Sequence, residues 1–216
     1  MSLAPYILNA ALAYLLGSIP SGFLIGKLRG VDVRTSGSGN IGATNVMRVL
    51  GRPAGIVVLV LDGLKGWAAA VLVAGFVVRS VYPSAGPLAR EWLQIEAGFL
   101  AILGHNYTCW LRFKGGKGIA TSAGVLAALV PWALVCVLVL WAVVLVLTRY
   151  VSLASICGSA ALPLATWLLH YSAALIGTTT VMTVMAIYKH KANIQRLMRG
   201  TENRFGAKPN KAEKRP

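Results

Sequence analysis

Seven apolar segments separated by short polar connectors dominate this sequence and limit the folds open to it. They cover residues 6–28, 54–78, 92–103, 119–130, 132–147, 151–169 and 171–188. None shows the sustained alternation of polar and apolar residues that is typical of membrane barrel strands. Only 12% of residues are charged, against about 25% in soluble proteins. The sequence therefore predicts an all-α integral membrane protein.

The number of spans depends on residues 118–148, which form either one long helix or two short ones. One straight helix would measure roughly 45 Å at 1.5 Å per residue, against about 30 Å of hydrocarbon. Pro131 provides a natural break, and with it 18 of the 21 Lys and Arg residues fall on one side of the membrane. Because cytoplasmic loops retain positive residues, we predict seven transmembrane helices, with the amino terminus outside and the carboxyl terminus cytoplasmic.

The predicted domain organisation follows from the same pattern. Residues 1–207 form a single membrane domain that carries three cytoplasmic motif segments, 36–48, 113–122 and 189–205. Residues 208–216 are rich in Lys and contain no apolar run, so we predict a disordered basic tail. The three cysteines show no metal-ligand spacing, and we expect neither a bound metal nor a disulfide framework.

The three motif segments combine basic residues with Gly, Ser, Thr or Asn. Lysines that meet anionic lipid headgroups would explain the charge but not these small residues. Glycines let backbone N–H groups approach an anion, and the helix after FKGGKG would direct its positive amino-terminal end towards that anion. The segments therefore predict phosphate binding. The GxxxxGK[ST] spacing of a nucleotide-hydrolysing loop is missing.

Three motifs carry a family resemblance. GSGNIGATNVMR at 37–48, FKGGKGIAT at 113–121 and HKANIQRLMRGTE at 190–202 resemble the signature motifs of the PlsY family, the bacterial acylphosphate-dependent glycerol-3-phosphate acyltransferases. Their order, their spacing and the seven-span frame match, so the resemblance covers nearly the whole chain. It implies a multi-pass protein of the bacterial inner membrane whose active site faces the cytoplasm.

The resemblance also implies a reaction. A fatty acyl group moves from acyl phosphate to the 1-hydroxyl of sn-glycerol 3-phosphate, which gives lysophosphatidic acid and phosphate in the first acylation step of phospholipid synthesis. Neither acyl-CoA nor acyl carrier protein serves directly as donor, and no cofactor or nucleic acid is expected. The resemblance allows functional coupling to a soluble enzyme that produces acyl phosphate.

The family's functional residues fall on specific positions of this chain. The resemblance implies catalytic roles for Ser38, Arg48, Lys117, His190 and Asn193. We expect a further set to bind substrate: Gly37, Gly39, Asn40, Thr44, Asn45, Lys114, Gly115, Gly116, Gly118, Thr121, Arg196 and Glu202. Two phosphate-bearing substrates repel each other and need a shared cationic clamp, which the Arg and Lys side chains of these segments can supply. The N–H groups of Gly115 and Gly116 are candidates for stabilising the oxyanion.

Several roles stay open at the level of sequence. The general base is either His190 or a substrate phosphate oxygen. Thr44 and Asn45 either bind phosphate or stabilise a turn, and Asp62 and Lys65 within the second span form either an ion pair or a functional site. We expect Ser38 to bind phosphate rather than to act as a nucleophile, and Glu202 to anchor the tail through a basic neighbour.

Two other classes of protein would also carry anion-binding loops. A transporter of a phosphorylated small molecule is the main alternative, although transporters place their sites near the midplane on broken helices, often in repeated halves. These motifs lie at one face and show no internal repeat. A scaffold that binds anionic headgroups would need basic residues but not the specific Gly, Asn and Ser spacing.

Overall fold

The computed structural model describes residues 3–206, so the predicted tail at 208–216 lies outside the described residues. The described part of the chain is all-helical, which confirms the predicted class. Its α-helices are α1 (Ala4–Ser18), α2 (Ser21–Leu28), α3 (Ala43–Leu50), α4 (Arg52–Ala68), α5 (Ala74–Ser80), α6 (Pro87–Asn106), α7 (Ile119–Leu129), α8 (Pro131–Thr148), α9 (Val151–Leu168), α10 (Ala173–Lys189) and α11 (Lys191–Met198). A π-helical turn, Ala69–Val73, joins α4 to α5.

Each predicted apolar segment coincides with helical structure, but the helices differ in length. Four stretches are long and apolar enough to cross a membrane: Ala4–Leu28, Arg52–Ser80, Pro131–Thr148 and Val151–Leu168. The apolar helices α7 and α10 are shorter, with 11 and 17 residues, and α6 carries Arg90, Glu91 and Glu96. The count of seven spans and the orientation of the termini therefore remain predictions.

The predicted break at Pro131 is present. Helix α7 ends at Leu129 and α8 begins at Pro131. Proline suits the first position of a helix because the N–H that it lacks would have no intrahelical acceptor there. The apolar residues 118–148 thus form two helices rather than one.

The first apolar segment is interrupted at Ile19 and Pro20, between α1 and α2. The Thr108 hydroxyl donates to the Ser18 carbonyl at 2.6 Å, and Lys65 Nζ donates to the Ile19 carbonyl at 2.8 Å. Unsatisfied backbone groups are costly in a bilayer, so these two side chains stabilise the break.

Lys65 also pairs with Asp62. Its Nζ lies 2.9 Å from Asp62 Oδ1, and both residues are buried. The ion pair left open by the sequence is therefore present. The Asp62 carboxylate neutralises the Lys65 ammonium group, which donates to the Ile19 carbonyl at the end of α1. Both charges therefore have a structural role inside the bundle.

Glycines bring the helices close enough to form the site. A Cβ at Gly17 or Gly104 would overlap the facing backbone where α1 crosses α6, and a Cβ at Gly66 or Gly124 would do so where α4 crosses α7. Small residues permit this close approach of helices in membranes. Helix α8 packs against α7, α9 packs against α8, and α10 packs against α9. The motif segments meet at one end of this bundle.

Candidate active site

The three motif segments line one cavity of about 350 Å³. Its polar end is formed by Ser38, Asn40, Thr44, Asn45, Arg48, Lys117, Gly118, His190, Asn193 and Glu202. Its apolar end extends between α7, α8, α9 and α10. The structure therefore brings together all five residues that the resemblance marks as catalytic.

Asn45 organises the loop formed by the first motif. Its Oδ1 accepts the Ser38 N–H at 2.7 Å, and its Nδ2 donates to the carbonyls of Val33 and Asn40 at 2.9 and 2.8 Å. Asn45 is 2% exposed. Of the two roles left open for it, the geometry favours the turn.

Gly37 and Gly39 have φ angles of 59° and 68°, a left-handed conformation that glycine adopts easily. A Cβ at Gly37 would also overlap Asn45 Oδ1. Both glycines shape the loop and neither lines the cavity, so their expected contact with substrate stays a prediction. Ser38 between them is exposed and does line the cavity.

The N–H groups of Gly115 and Gly116 already donate within the protein, which argues against the oxyanion role expected for them. They donate to the carbonyls of Asn106 and His105 at 3.2 and 3.0 Å. A Cβ at Gly116 would overlap the His105 ring, so these glycines permit the loop to pack on the end of α6. Lys114 is exposed and does not line the cavity.

Thr121 also does not contact the cavity. It is fully buried, and its carbonyl lies against Gly66 of α4. One turn into α7 the helix presents its neighbour Ser122 to the cavity instead. The sequence did not show which face of α7 packs against α4, and the substrate-binding role expected for Thr121 stays a prediction.

Two helix amino termini lie at the cavity. Gly118 precedes α7 with a φ of 80°, and Lys117, Gly118, Ile119 and Ala120 all line the cavity. The start of α3 does so through Gly42, Ala43 and Thr44. The first N–H groups of a helix have no intrahelical acceptor, and the helix dipole favours an anion there.

Hydrogen bonds join the second and third motifs into one network. Lys117 Nζ donates to Asn193 Oδ1 at 2.5 Å, and Asn193 Nδ2 donates to Glu202 Oε1 at 2.7 Å. Arg196 Nε lies 2.7 Å from the other carboxylate oxygen of Glu202. The predicted basic neighbour of Glu202 is therefore Arg196, and the carboxylate orients the amide that contacts Lys117.

Ser152 is a member of this network that sequence reasoning missed. Its hydroxyl donates to Glu202 Oε1 at 2.9 Å from the first turn of α9. Nearby, Arg149 binds the Phe205 carbonyl at 3.0 Å. The connector between α8 and α9 thus holds the third motif in place, and no spacing in the sequence pointed to that contact.

His190 faces the cavity as a neutral imidazole. Its Nδ1 lies 2.7 Å from the Ala186 carbonyl, which can only accept, so Nδ1 carries the proton and Nε2 carries the lone pair. Burial and then the positive charge of Lys117 lower the pKa of His190 to about 4. The ring is therefore uncharged at neutral pH.

Lys117 is also perturbed. Burial, opposed by Glu202 and reinforced by Arg196 and Arg48, lowers the pKa of Lys117 to about 8. Burial would raise the pKa of Glu202, but hydrogen bonds from Asn193, Arg196 and Ser152 outweigh it and lower that pKa. The site thus holds a carboxylate beside a lysine that still carries its charge at pH 7.

Asp62 and His105 line the same cavity from α4 and α6. His105 Nδ1 lies 3.6 Å from Asp62 Oδ1, and both side chains are buried. The sequence left Asp62 and Lys65 as either an ion pair or a functional site and did not connect His105 with them. Glu91 and Glu96 do not line this cavity, and they accept hydrogen bonds from Ser172 and Asn9.

The sequence of this chain is similar to a known family and to individual proteins of that family. A family model described as glycerol-3-phosphate acyltransferase matches residues 7–200. A protein of that name from Geobacter sulfurreducens is 45% identical over 201 residues, covering 93% of this chain and 98% of the relative. Its counterpart from Geobacter metallireducens is 49% identical over 201 residues, with the same coverage.

Two crystal structures are similar to this chain. Both are of PlsY, described as an integral membrane glycerol 3-phosphate acyltransferase, and both are 39% identical in sequence and match 93% of this chain. The glycerol 3-phosphate form has a TM-score of 0.82 over 96% of its length. The lysophosphatidic acid form has a TM-score of 0.79 over 95% of its length.

Proposed function

Since this chain belongs to the glycerol-3-phosphate acyltransferase family, PlsY, we propose that it transfers a fatty acyl group from acyl phosphate to the 1-hydroxyl of sn-glycerol 3-phosphate. The chain is a multi-pass membrane protein and an acyltransferase that uses glycerol 3-phosphate. The donor, acyl phosphate, and the products, lysophosphatidic acid and phosphate, are the finer part of the proposal.

One observation carries this function. The polar end of the cavity, where the motifs meet, continues directly into an apolar space between α7, α8, α9 and α10. An acyl phosphate has the same two-part character, a phosphate head joined to a hydrocarbon chain. A site for a small phosphorylated solute would have no use for the apolar part.

Two anions must be held side by side. The start of α3, with Ser38, Thr44 and Arg48, offers one place for a phosphate, and the start of α7, with Lys117, offers another. Positive groups between them reduce the repulsion of the two substrates. Holding two reactants in line can supply up to roughly 7–11 kcal/mol of the activation barrier.

The chemical step is attack of the glycerol 3-phosphate 1-hydroxyl on the acyl carbonyl carbon. The bond between that carbon and the phosphate oxygen then breaks, and phosphate leaves with the electron pair. Phosphate is a good leaving group from this mixed anhydride, so the step needs no strong general acid. Lys117 and the amino-terminal end of α7 stabilise the negative charge as it moves to phosphate.

The proton of the hydroxyl goes either to His190 Nε2 or to a substrate phosphate oxygen. A histidine with a pKa near 4 is a weak base at neutral pH. A phosphate bound beside Lys117 would offset the positive charge that helps to lower this pKa, so substrate binding strengthens His190 as a base. Both routes remain in the proposal.

We also propose the placement and organisation of the molecule. Residues 1–207 form one seven-span domain in the bacterial inner membrane, with the cavity at the cytoplasmic face. Functional coupling to a soluble enzyme that produces acyl phosphate is consistent with an active site on that face. The meeting of the three basic motif segments at one end of the bundle supports this arrangement.

Phosphate release from acyl phosphate by the purified protein tests the function. Release should require glycerol 3-phosphate and should yield lysophosphatidic acid in equal amount. Lys117→Ala should abolish most of this activity, whereas the matched variant Lys27→Ala, which changes an exposed lysine outside the cavity, should retain it. Comparable turnover with acyl-CoA would contradict the proposed donor.

The same purified protein, in sealed vesicles, distinguishes the acyltransferase from the main alternative, a transporter of a phosphorylated small molecule. A transporter would carry a phosphorylated solute into sealed vesicles without forming an acylated product. Uptake of labelled glycerol 3-phosphate without lysophosphatidic acid would therefore favour transport.

A further inference from the structure

The apolar part of the cavity has a defined depth along α9. Ser152, Ser155, Gly158 and Leu162 line the cavity at helical spacing. At 1.5 Å per residue, Leu162 lies about 15 Å further along the helix than Ser152, which contacts Glu202 at the polar end. Leu162 belongs to a buried cluster that includes Leu126 and Val130, so tightly packed side chains close the deep end.

Gly158 is the smallest residue along this wall. A Cβ there would lie 3.5 Å from the Val137 carbonyl oxygen and 3.8 Å from Trp141 Cβ, which are ordinary contact distances. The glycines at the α4–α7 crossing, in contrast, would collide with backbone. Gly158 is therefore not required by close helix packing, and its lack of a side chain leaves space inside the cavity.

Trp141 faces this position from α8. Its indole Nε1 donates to the Ser155 hydroxyl at 3.3 Å, one turn before Gly158 on α9. This bond limits the rotation of the half-buried indole, because turning the ring would separate its N–H from the Ser155 acceptor. A rigid ring on one helix thus lies opposite the missing side chain on the other.

We propose that Gly158, with Trp141 opposite, determines the length of acyl chain that this enzyme accepts. The inference rests on the proposed function and extends it from the class of donor to the chain length of that donor. Gly158 lies about 9 Å beyond Ser152 along α9. A large side chain at Gly158 would block roughly the last 6 Å of the cavity, while truncation at Leu162 would deepen it.

Selectivity should therefore change in opposite directions for two variants. Gly158→Leu should lower kcat/KM for long donors relative to short ones by tenfold or more, since a misfit of a single methylene group in an apolar pocket gives about 10–200-fold. Leu162→Ala should shift the preference towards longer chains. Gly158→Ala, whose methyl group meets ordinary contacts, should change the profile little.

The experiment measures kcat/KM for a series of saturated acyl phosphates of increasing length, and KM for glycerol 3-phosphate with each donor. Gly75→Leu is the matched control, because no atom lies within 4 Å of a Cβ at Gly75 and Gly75 does not line the cavity. Opposite shifts with an unchanged KM for glycerol 3-phosphate would support the inference. If activity falls equally for every chain length in both cavity variants, the inference is wrong.

Failure of this inference can be distinguished from failure of the proposed function. If the unmodified protein transfers no acyl group from any acyl phosphate, the proposed function fails before the variants are compared. If the unmodified protein is active but Gly158→Leu does not fold, Leu162→Ala still decides. An unaltered chain-length profile in a folded Leu162→Ala variant would then show that the depth of the cavity along α9 does not set the accepted chain length, and the inference would be wrong.

Discussion

At the scale of single residues, Lys117 connects the electrostatics of the site to a measurable pH dependence. Its pKa of about 8 means that the free enzyme loses this positive charge as pH rises through 8. Phosphate affinity should fall with it, so kcat/KM should decline by about tenfold per pH unit above that point. Binding of phosphate raises the pKa of Lys117, and the decline in kcat alone should therefore begin at higher pH.

Lys117→Arg provides the control for this pH profile. A guanidinium group stays protonated throughout this range, so the alkaline decline should disappear even if the variant is less active at pH 7. The acid side is less informative about His190, because the phosphate groups of the substrates also titrate near pH 6. An unchanged decline near pH 8 in Lys117→Arg would exclude Lys117 as its source.

Ser38 provides a second prediction at the same scale. It lies on a loop organised by Asn45, and no carboxylate in the motif segments both contacts His190 and could orient it towards Ser38 in the described structure. We therefore expect Ser38 to bind phosphate. Ser38→Ala should lower kcat/KM by roughly 10- to 100-fold, the effect of losing a hydrogen bond to a charged group, about 1.5–3 kcal/mol. Ser38→Thr, which keeps the hydroxyl, should retain more activity.

Mass spectrometry tests the alternative in which Ser38 is a nucleophile. Enzyme quenched after exposure to acyl phosphate alone should carry no acyl adduct at Ser38, because direct transfer to glycerol 3-phosphate needs no covalent intermediate. An adduct that glycerol 3-phosphate discharges at the rate of turnover would contradict the phosphate-binding role.

The sequence could indicate which residues belong to the site, but it could not indicate how the backbone packs around them. The resemblance of the motifs marked Ser38, Arg48, Lys117, His190 and Asn193, and all five line the cavity; their catalytic roles stay predictions. The packing of Gly115, Gly116 and Thr121 was not predictable, because it depends on which part of the chain lies against them. A glycine that allows close approach to His105 and a glycine that binds phosphate look the same in a sequence.

At the scale of helices, the crossing of α4 and α7 positions the second motif. A Cβ at Gly124 would overlap the Gly63 carbonyl oxygen, so Gly124→Ala must push the two helices apart. Overpacking of this kind costs about 1–3 kcal/mol and should lower the melting temperature of the protein in detergent. Gly75→Ala in α5 meets open space and should be neutral or slightly stabilising.

The activity of Gly124→Ala adds a second measurement. Lys117 lies just before the first turn of α7, so displacing α7 should raise KM for acyl phosphate along with the loss of stability. Equal melting temperatures for Gly124→Ala and Gly75→Ala would show that the crossing is looser than the backbone distances indicate.

Helix positions were predictable here because the signals are local. Apolar composition located each segment, and Pro131 located the break between α7 and α8. Pro20 lies at the interruption between α1 and α2. The partners of this interruption were not predictable, since Lys65 and Thr108 reach the broken end of α1 from positions far along the chain. Long-range contacts of this kind leave no periodic pattern.

At the scale of the whole molecule, the site and the topology depend on each other. Glu202 follows the last apolar helix, and it contacts Asn193, Arg196 and Ser152. Asn193 contacts Lys117, which precedes α7. These bonds are possible only if the third motif lies on the same side of the membrane as the second, which requires an even number of passes between the two motifs. In the proposed seven-span arrangement these four passes are α7, α8, α9 and α10.

Cysteine labelling in intact cells tests this topology. The native Cys109, Cys136 and Cys157 are first replaced, and single cysteines are introduced at Lys114, Asn203 and Ser84, which are exposed. Lys114→Cys and Asn203→Cys should resist an impermeant thiol reagent until the membrane is opened, whereas Ser84→Cys, in the connector between α5 and α6, should react at once.

Each variant must keep its transferase activity, so that labelling reports the native arrangement. Reaction of Asn203→Cys from outside intact cells would place the third motif opposite the second, and no single cavity could then contain both Lys117 and Asn193.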